Sequence, residues 1–182
     1  MVDVKLGDWD ALGQAASAIR SAVFVDEQKI LTTLEWDAAD AGCVHALASN
    51  RFGLALTTGR LMPALEGVSK IGRMAVLASM RGSSIGRAVL DALVLAARHR
   101  GDKQLLLHAQ ASAVGFYSRA GFVAPGPVFS EAGITHQAMA RMLRGVRLRL
   151  RSWLRSRLPS RQRSRLPPTP QSNVSNHSSW RG

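Results

Sequence analysis

Apolar residues recur with helical spacing in two segments of the chain, and short apolar runs bounded by turn residues lie between and after them. In residues 8–23 and 84–99 an apolar side chain returns every three or four positions, which predicts two amphipathic helices. Asp8 or Asp10 is suited to cap the first helix, and Gly101 to end the second. The short runs predict strands over residues 44–49, 54–62, 70–76, 104–109, 128–129 and 136–142, with a short helix from Ser112 through Arg119 that ends at Gly121.

The order of these elements predicts the fold class. The strand–helix–strand unit between residues 70 and 109 favours a parallel strand pair with a right-handed crossover. Hairpin-like connections on either side add antiparallel strands, so the sheet is expected to be mixed. The sequence therefore predicts an α/β sandwich of moderate size, and its 182 residues are enough for one domain with a core and an appendage.

The turn into the second helix has the composition of a phosphate-binding site. It follows the strand Lys70–Val76 and runs Arg81-Gly82-Ser83-Ser84-Ile85-Gly86-Arg87. Small residues at 82–84 let a phosphate approach the backbone, where the first N–H groups of the helix and the positive end of its dipole attract an anion. The pattern predicts a pyrophosphate cradle, and hence a phosphorylated cofactor.

Charge divides the chain into two parts. Residues 1–143 contain 14 Lys and Arg and all 12 acidic residues, whereas residues 144–182 contain ten Arg and no acid. We therefore expect a nearly neutral domain over 1–143, followed by an Arg-rich, disordered tail over 144–182. Leucines and arginines of the tail fit either a basic amphipathic helix that contacts polyanions or a membrane surface, or a soluble extension that reflects coding bias.

Several classes of protein are disfavoured by what the sequence lacks. The single cysteine, Cys43, can form no internal disulfide, and the N-terminus shows no basic-then-apolar signal segment, so a cytoplasmic protein is expected. The chain contains no run of 18 apolar residues, so a membrane-spanning helix is not expected. The His, Cys, Asp and Glu residues show no metal-ligand spacing, and residues 1–143 contain no nucleic-acid-binding motif, so neither a metal nor a specific nucleic acid is expected.

An ordered set of residues between positions 15 and 143 resembles the GNAT superfamily of acetyl-CoA-dependent N-acetyltransferases, and within it the small bacterial ElaA-like branch. Any one of these residues is a weak signal, but their order and spacing together are specific. They are Arg20, Val23-Phe24-Val25, Glu27-Gln28, Glu35-x-Asp37, His45, Arg60-Leu61, Ile71-Gly72-Arg73, Val76, Arg81-Gly82, Ile85-Gly86, Ala109-Gln110, Phe116-Tyr117, Gly121-Phe122, Glu131-x-Gly133-Ile134 and His136.

The resemblance implies a fold and an acetyl-CoA site. The fold would be a GNAT-like sandwich over 1–143, with a mostly antiparallel twisted sheet, one splayed parallel strand pair and helices on both faces. The pantetheine arm of acetyl-CoA would pair with the backbone of Met74, Ala75 and Val76. Its pyrophosphate would lie on the N–H groups of Arg81, Gly82, Ser83, Ser84, Ile85, Gly86 and Arg87, with Ser84 in place of the first glycine of the family pattern.

The resemblance also implies catalytic and acceptor residues. Tyr117, the only tyrosine of the chain, falls where the family has the acid that protonates the leaving thiolate, although it also fits a core aromatic beside Phe116. The acceptor side would include Glu27, Glu35, Asp37 and His45. The acidic segment 26–40 fits either steering of a cationic amine or a solvated loop. The base stays open among His45, His108, His136, Glu27, Glu35 and Asp37.

The leading functional prediction is transfer of an acetyl group from acetyl-CoA to the amine of a small molecule or peptide. One alternative is a GNAT-like module that binds acyl-CoA with little turnover, which the serine at position 84 favours. Another is an accessory role of the basic tail in binding anions or a membrane. The prediction is compatible with a homodimer.

Overall fold

The computed structural model describes residues 2–124 and 126–143, which form one mixed seven-stranded sheet with helices on both faces. The strands are β1 (Asp3–Gly7), β2 (Val44–Ser49), β3 (Ala55–Leu61), β4 (Val68–Val76), β5 (Gln104–Gln110), β6 (Val128–Glu131) and β7 (Ile134–Met142). The α-helices are α1 (Trp9–Arg20), α2 (Thr32–Glu35), α3 (Ile85–Arg100) and α4 (Val114–Arg119). The strand order is β1-β2-β3-β4-β5-β7-β6, and among these strands only β4 and β5 pair in parallel. The mixed, mostly antiparallel sheet is thereby confirmed.

The ends of the two long helices follow from local chemistry. Asp8 accepts a hydrogen bond from the N–H of Ala11 at 2.9 Å, which satisfies one of the free donors at the start of α1. Helix α3 ends at Gly101, which adopts a φ of +92° that side-chain-bearing residues rarely take. Both predicted helix ends are confirmed. Within the described residues, no helix is long and apolar enough to cross a membrane.

Four local features differ from the sequence-based expectations. Strand β1 and the one-turn helix α2 were not predicted, and α1 continues as a π-helix over Ser21–Glu27. The prediction that Ser112 caps the short helix is wrong, because a 3-10 turn over Ala111–Ala113 precedes α4 and no side chain caps it. The predicted tail over 144–182 lies outside the described residues, so the boundary at 143 stays a prediction.

The core occupies both faces of the sheet. On one face, α3 buries Val89, Leu90 and Leu93 completely against the strands. On the other face, apolar residues of α1 and of the π-helix that follows it pack with Leu47 and Ala75. Burial of apolar side chains of this size contributes about 1.5–3 kcal/mol each, so both helices are fixed to the sheet.

The parallel strands β4 and β5 separate along their length. They pair only at Val68, Ser69 and Lys70, after which β4 continues to Val76 and β5 to Gln110 without pairing to each other. On its other edge β4 contains a bulge opposite β3, where the register shifts between Thr58 and Arg60. The expected splayed pair is confirmed, and it opens a wedge in the middle of the sheet.

Candidate active site

The wedge between β4 and β5 contains a cleft of about 340 Å³. Ile71 and Leu107 line it and also belong to the core beneath α3. Lys70 and His108 line it as well, and because side chains alternate along a strand they lie on the opposite face. The cleft is therefore lined by residues from both faces of the sheet.

On the α3 face, the cleft ends at the ring of Tyr117, which α4 presents. Tyr117 is 8% exposed and packs edge-on against Phe116 and Phe122, with ring centroids 5.0 and 6.1 Å away. Burial raises the pKa of Tyr117 to about 12, so the phenol stays protonated at neutral pH. It lines the cleft and is also part of the core, so the two interpretations of this residue are compatible.

The predicted pyrophosphate loop lies against the end of β4. Gly82 adopts a φ of +79°, whereas Ser84 has an ordinary φ of −76°, so the serine that departs from the family pattern carries no backbone strain. A Cβ on Gly86 would lie 3.0 Å from Cγ2 of Val76. The lack of a side chain at 86 therefore allows α3 to begin directly beside β4, which brings Met74–Val76 and residues 81–87 together.

The side chains of the loop arginines are held by acidic partners. Arg81 forms two 2.6 Å hydrogen bonds with the carboxylate of Glu27 and a third with the carbonyl of Val76. The hydrogen bond from Arg81 lowers the pKa of Glu27. Arg87 pairs with Asp91 one turn later. Glu27, predicted on the acceptor side, thus contacts the predicted pyrophosphate loop.

On the opposite face, titratable side chains from four strands line the cleft. Nδ1 of His108 is 2.7 Å from Oε2 of Glu131 and 3.3 Å from Nζ of Lys70. Burial raises the pKa of Glu131, but the hydrogen bond with His108 and the nearby positive charges outweigh it and lower the pKa overall. The ring of His136 stacks on Phe129, which in turn contacts His108 edge-on.

Sequence reasoning missed Lys70 and Glu131 as cleft residues, and it missed a bridge across the cleft. The side-chain amide of Gln110 donates to Gln28 at 2.9 Å, which joins the end of β5 to the segment after the π-helix. Strand periodicity could have indicated part of this set, since His108 and Gln110 are two positions apart on one strand and therefore face the same side.

Three acids of the acidic segment, Glu35, Asp37 and Asp40, form an ion-pair network. Glu35 and Asp40 are 2% and 4% exposed and both accept hydrogen bonds from the buried Arg20. Arg60 bridges Asp40 and Asp37 at 2.7 Å. Burial raises the pKa of Glu35 against the pull of the surrounding guanidiniums, whereas the hydrogen bond from Arg60 lowers the pKa of Asp37 to about 2.

The other predicted acceptor residues are distributed unevenly. Glu35 lines the cleft, whereas Asp37 and His45 do not. His45 is 1% exposed, with Nε2 2.9 Å from the carbonyl oxygen of Asp40 and its ring beside Trp9. In the part of the chain that the structure describes, no three His, Cys, Asp or Glu side chains are arranged as metal ligands. The role of these residues toward an acceptor stays a prediction.

Comparison with known proteins defines the class of this fold and cleft. Residues 20–143 match the acetyltransferase (GNAT) domain family. The uncharacterized N-acetyltransferase YjcF of Bacillus subtilis is 31% identical over 124 residues, which cover 68% of this chain and 87% of YjcF. An acyl-CoA N-acyltransferase structure from Pseudomonas aeruginosa superposes with a TM-score of 0.69 at 31% identity, covering 78% of this chain and 99% of that one.

The chain belongs to the GNAT acetyltransferase family. Its similarity to ElaA of Escherichia coli is 38% identity over 72 residues, which cover 39% of this chain and 47% of ElaA. The ElaA crystal structure superposes with a TM-score of 0.69 at 26% identity, covering 78% of this chain and 99% of that one. The resemblance to the ElaA-like branch is thereby confirmed.

Proposed function

We propose that this protein transfers the acetyl group of acetyl-CoA to the amine of a small molecule or peptide in the cytoplasm. The observation that carries the proposal is the cleft between β4 and β5, which has a protonated phenol on one face and an imidazole–carboxylate pair on the other. An acyl transfer from a thioester to an amine needs a proton donor at sulfur and a proton acceptor at nitrogen. The proposal rests also on membership of a family of acetyltransferases.

Acetyl-CoA fits the α3 face. The end of β4 at Met74–Val76 would hold the pantetheine arm, and the N–H groups of residues 81–87 would hold the pyrophosphate at the start of α3. The close approach at Gly86 and the left-handed backbone at Gly82 support a backbone that faces an anion without side chains between them. Tyr117 would then lie beside the sulfur and donate to the thiolate as the C–S bond breaks.

The acceptor fits the opposite face. There the amine would approach the thioester carbonyl between Lys70, His108 and Glu131 on one side and the Gln28–Gln110 bridge on the other. Positioning of the two reactants on opposite faces of one cleft provides the alignment that a bimolecular transfer requires. In this arrangement the sheet separates the two substrates, which meet only in the cleft.

The experiment combines binding with turnover. Calorimetry measures acetyl-CoA affinity, and a chromogenic thiol reagent measures CoA release in the presence of a panel of alkylamines, arylamines and peptides. We expect acetyl-CoA to bind and thiol release to depend on an amine, with one acetylated product per thiol. Acetyl-CoA binding without amine-dependent thiol release from any member of the panel would favour the acyl-CoA-binding module.

A further inference from the structure

The cluster on the acceptor face of the cleft contains a histidine whose tautomer is set by its neighbours. Nδ1 of His108 cannot both donate to Glu131 and accept from Lys70, because one ring nitrogen carries a single proton or a single lone pair. The contact with Glu131 at 2.7 Å is shorter than the contact with Lys70 at 3.3 Å. The geometry therefore favours Nδ1–H donating to Glu131, which leaves Nε2 as a free acceptor.

Charged groups of both signs surround the ring of His108. The carboxylate of Glu131 and the ammonium of Lys70 both lie at Nδ1, and His136 lies on the far side of Phe129. The His108 side chain is 36% exposed, so a proton taken up in the cleft can pass to solvent. Tyr117 lies on the other face, so that the two proton-transfer groups are separated by the cleft.

We propose that Nε2 of His108 is the base that deprotonates the acceptor, that Glu131 positions it, and that the acceptor is an alkylamine that arrives as an ammonium ion. This inference rests on the proposed function. An alkylamine has a pKa near that of lysine, about 10.4, so that roughly one molecule in 2,500 is neutral at pH 7. A positioned base in the cleft lets the ammonium bind and takes its proton as the N–C bond forms, whereas an arylamine arrives already neutral.

The proposed step balances protons and electrons. The ammonium gives one proton to Nε2 of His108, and the nitrogen lone pair then forms the N–C bond to the thioester carbonyl. The C–S bond breaks with its electron pair on sulfur, where the Tyr117 hydroxyl donates a hydrogen bond to the developing thiolate. The second proton that nitrogen loses on becoming an amide reaches that thiolate through solvent, and His108 releases its proton, so each turnover liberates one proton.

The test compares two acceptors across pH. We expect His108→Asn to lower kcat/KM for an alkylamine about 10²- to 10⁴-fold at pH 7, because a general base contributes that much. The loss should shrink as the pH rises toward 10, where the free amine accumulates. With an arylamine the loss should stay within about threefold. His99→Asn makes the same change on the exposed face of α3 and should leave both rates unchanged.

Glu131→Gln tests the positioning role. The variant removes a negative charge beside His108, so the imidazolium is less favoured and the acid limb of the alkylamine pH profile should move to lower pH. A purely structural role for Glu131 would leave that limb where it is. His108→Gln provides a second substitution, and acetyl-CoA affinity equal to that of the wild type confirms that each variant is folded.

The outcomes separate this inference from the proposed function. Equal losses for alkylamines and arylamines, or an unchanged pH profile in both His108 variants, would overturn the assignment of the base while the acetyltransferase activity stands. A wild-type protein that acetylates only arylamines would overturn the acceptor class. If the wild-type protein acetylates no amine at all, the proposed function itself is refuted.

Discussion

Replacing Tyr117 with phenylalanine removes one oxygen atom and tests how the thioester bond is broken. The phenol pKa of about 12 lies about 3.5 units above that of a free thiol near 8.5, so complete proton transfer from Tyr117 to a thiolate is uphill by about 5 kcal/mol. Most of the benefit must therefore come from a hydrogen bond to sulfur as negative charge develops. A hydrogen bond to a charged group is worth about 1.5–3 kcal/mol, which predicts a kcat about 10- to 150-fold lower in Tyr117→Phe.

The assay is thiol release at saturating acetyl-CoA and alkylamine, after a rapid-mixing experiment without a burst has established that chemistry limits the rate. Burial is the only cause of the raised pKa of Tyr117, so no hydrogen bond is lost and the free energy of unfolding should change by less than about 0.5 kcal/mol. Because the phenol stays protonated up to about pH 12, loss of this acid should produce no descending limb between pH 7 and 10. Ser118→Ala removes an exposed hydroxyl from the same helix and is the matched control.

Two results would refute this reasoning about Tyr117. If Tyr117→Phe turns over at the wild-type rate, the hydroxyl of Tyr117 does not contribute to catalysis. A variant that loses acetyl-CoA affinity in proportion to its rate has lost packing rather than a proton donor. A loss well above 150-fold would mean that binding of acetyl-CoA lowers the pKa of the phenol and makes complete proton transfer favourable.

Three further predictions concern the predicted pyrophosphate loop, the buried ion pairs and the tail. Gly86→Leu should weaken acetyl-CoA binding at least tenfold by calorimetry, because even its Cβ meets Val76 at 3.0 Å; unchanged affinity in a folded variant contradicts the cradle. Arg20→Met should lower the free energy of unfolding in urea by about 3–5 kcal/mol, since it removes the buried partner of Glu35 and one of the two arginines paired with Asp40, whereas Arg87→Met at an exposed pair should cost less than about 1 kcal/mol. A protein truncated after Leu143 should show the circular dichroism spectrum of a folded domain and wild-type acetyl-CoA affinity, while any binding to anionic vesicles disappears. Loss of folding would show that the domain extends beyond residue 143.

The sequence predicted correctly those elements whose boundaries are marked by an apolar run or a terminating glycine. Strand β2 begins and ends where its apolar run does, and α3 ends at the glycine that stops its periodicity. Strand β1 was not predicted because it is a five-residue edge strand that contains Asp3 and Lys5, so it has no continuous apolar run. The π-helix after α1 has no separate sequence signal, since its side chains continue the helical spacing of the residues before it.

The chemistry of the site depended on contacts between distant residues, which one sequence does not display. Glu131 meets His108 across 23 positions, although β7 lies between their strands β6 and β5 in the sheet. Arg20 finds its carboxylates 15 and 20 positions later, which converts an acidic segment into a neutral, buried network. The residue types alone predicted a cluster of acids near an acceptor. The arginines that pair with these acids determine how much net negative charge remains beside the cleft.

The bulge in β4 explains why one strand serves both faces of the cleft. Arg73 adopts a φ of +52°, a left-handed conformation that costs a residue with a side chain about 1–3 kcal/mol. Its guanidinium is held by Asp37 at 3.2 Å and by the backbone carbonyls of Leu34 and Glu35, which offsets that cost. Because the bulge adds one residue, Ala75 packs beneath α1 although Ile71, four positions earlier, packs beneath α3. The acidic segment therefore helps to fix this bulge, and the bulge turns the end of β4 toward the predicted pyrophosphate loop while Lys70, near the start of the strand, lies on the opposite face of the cleft.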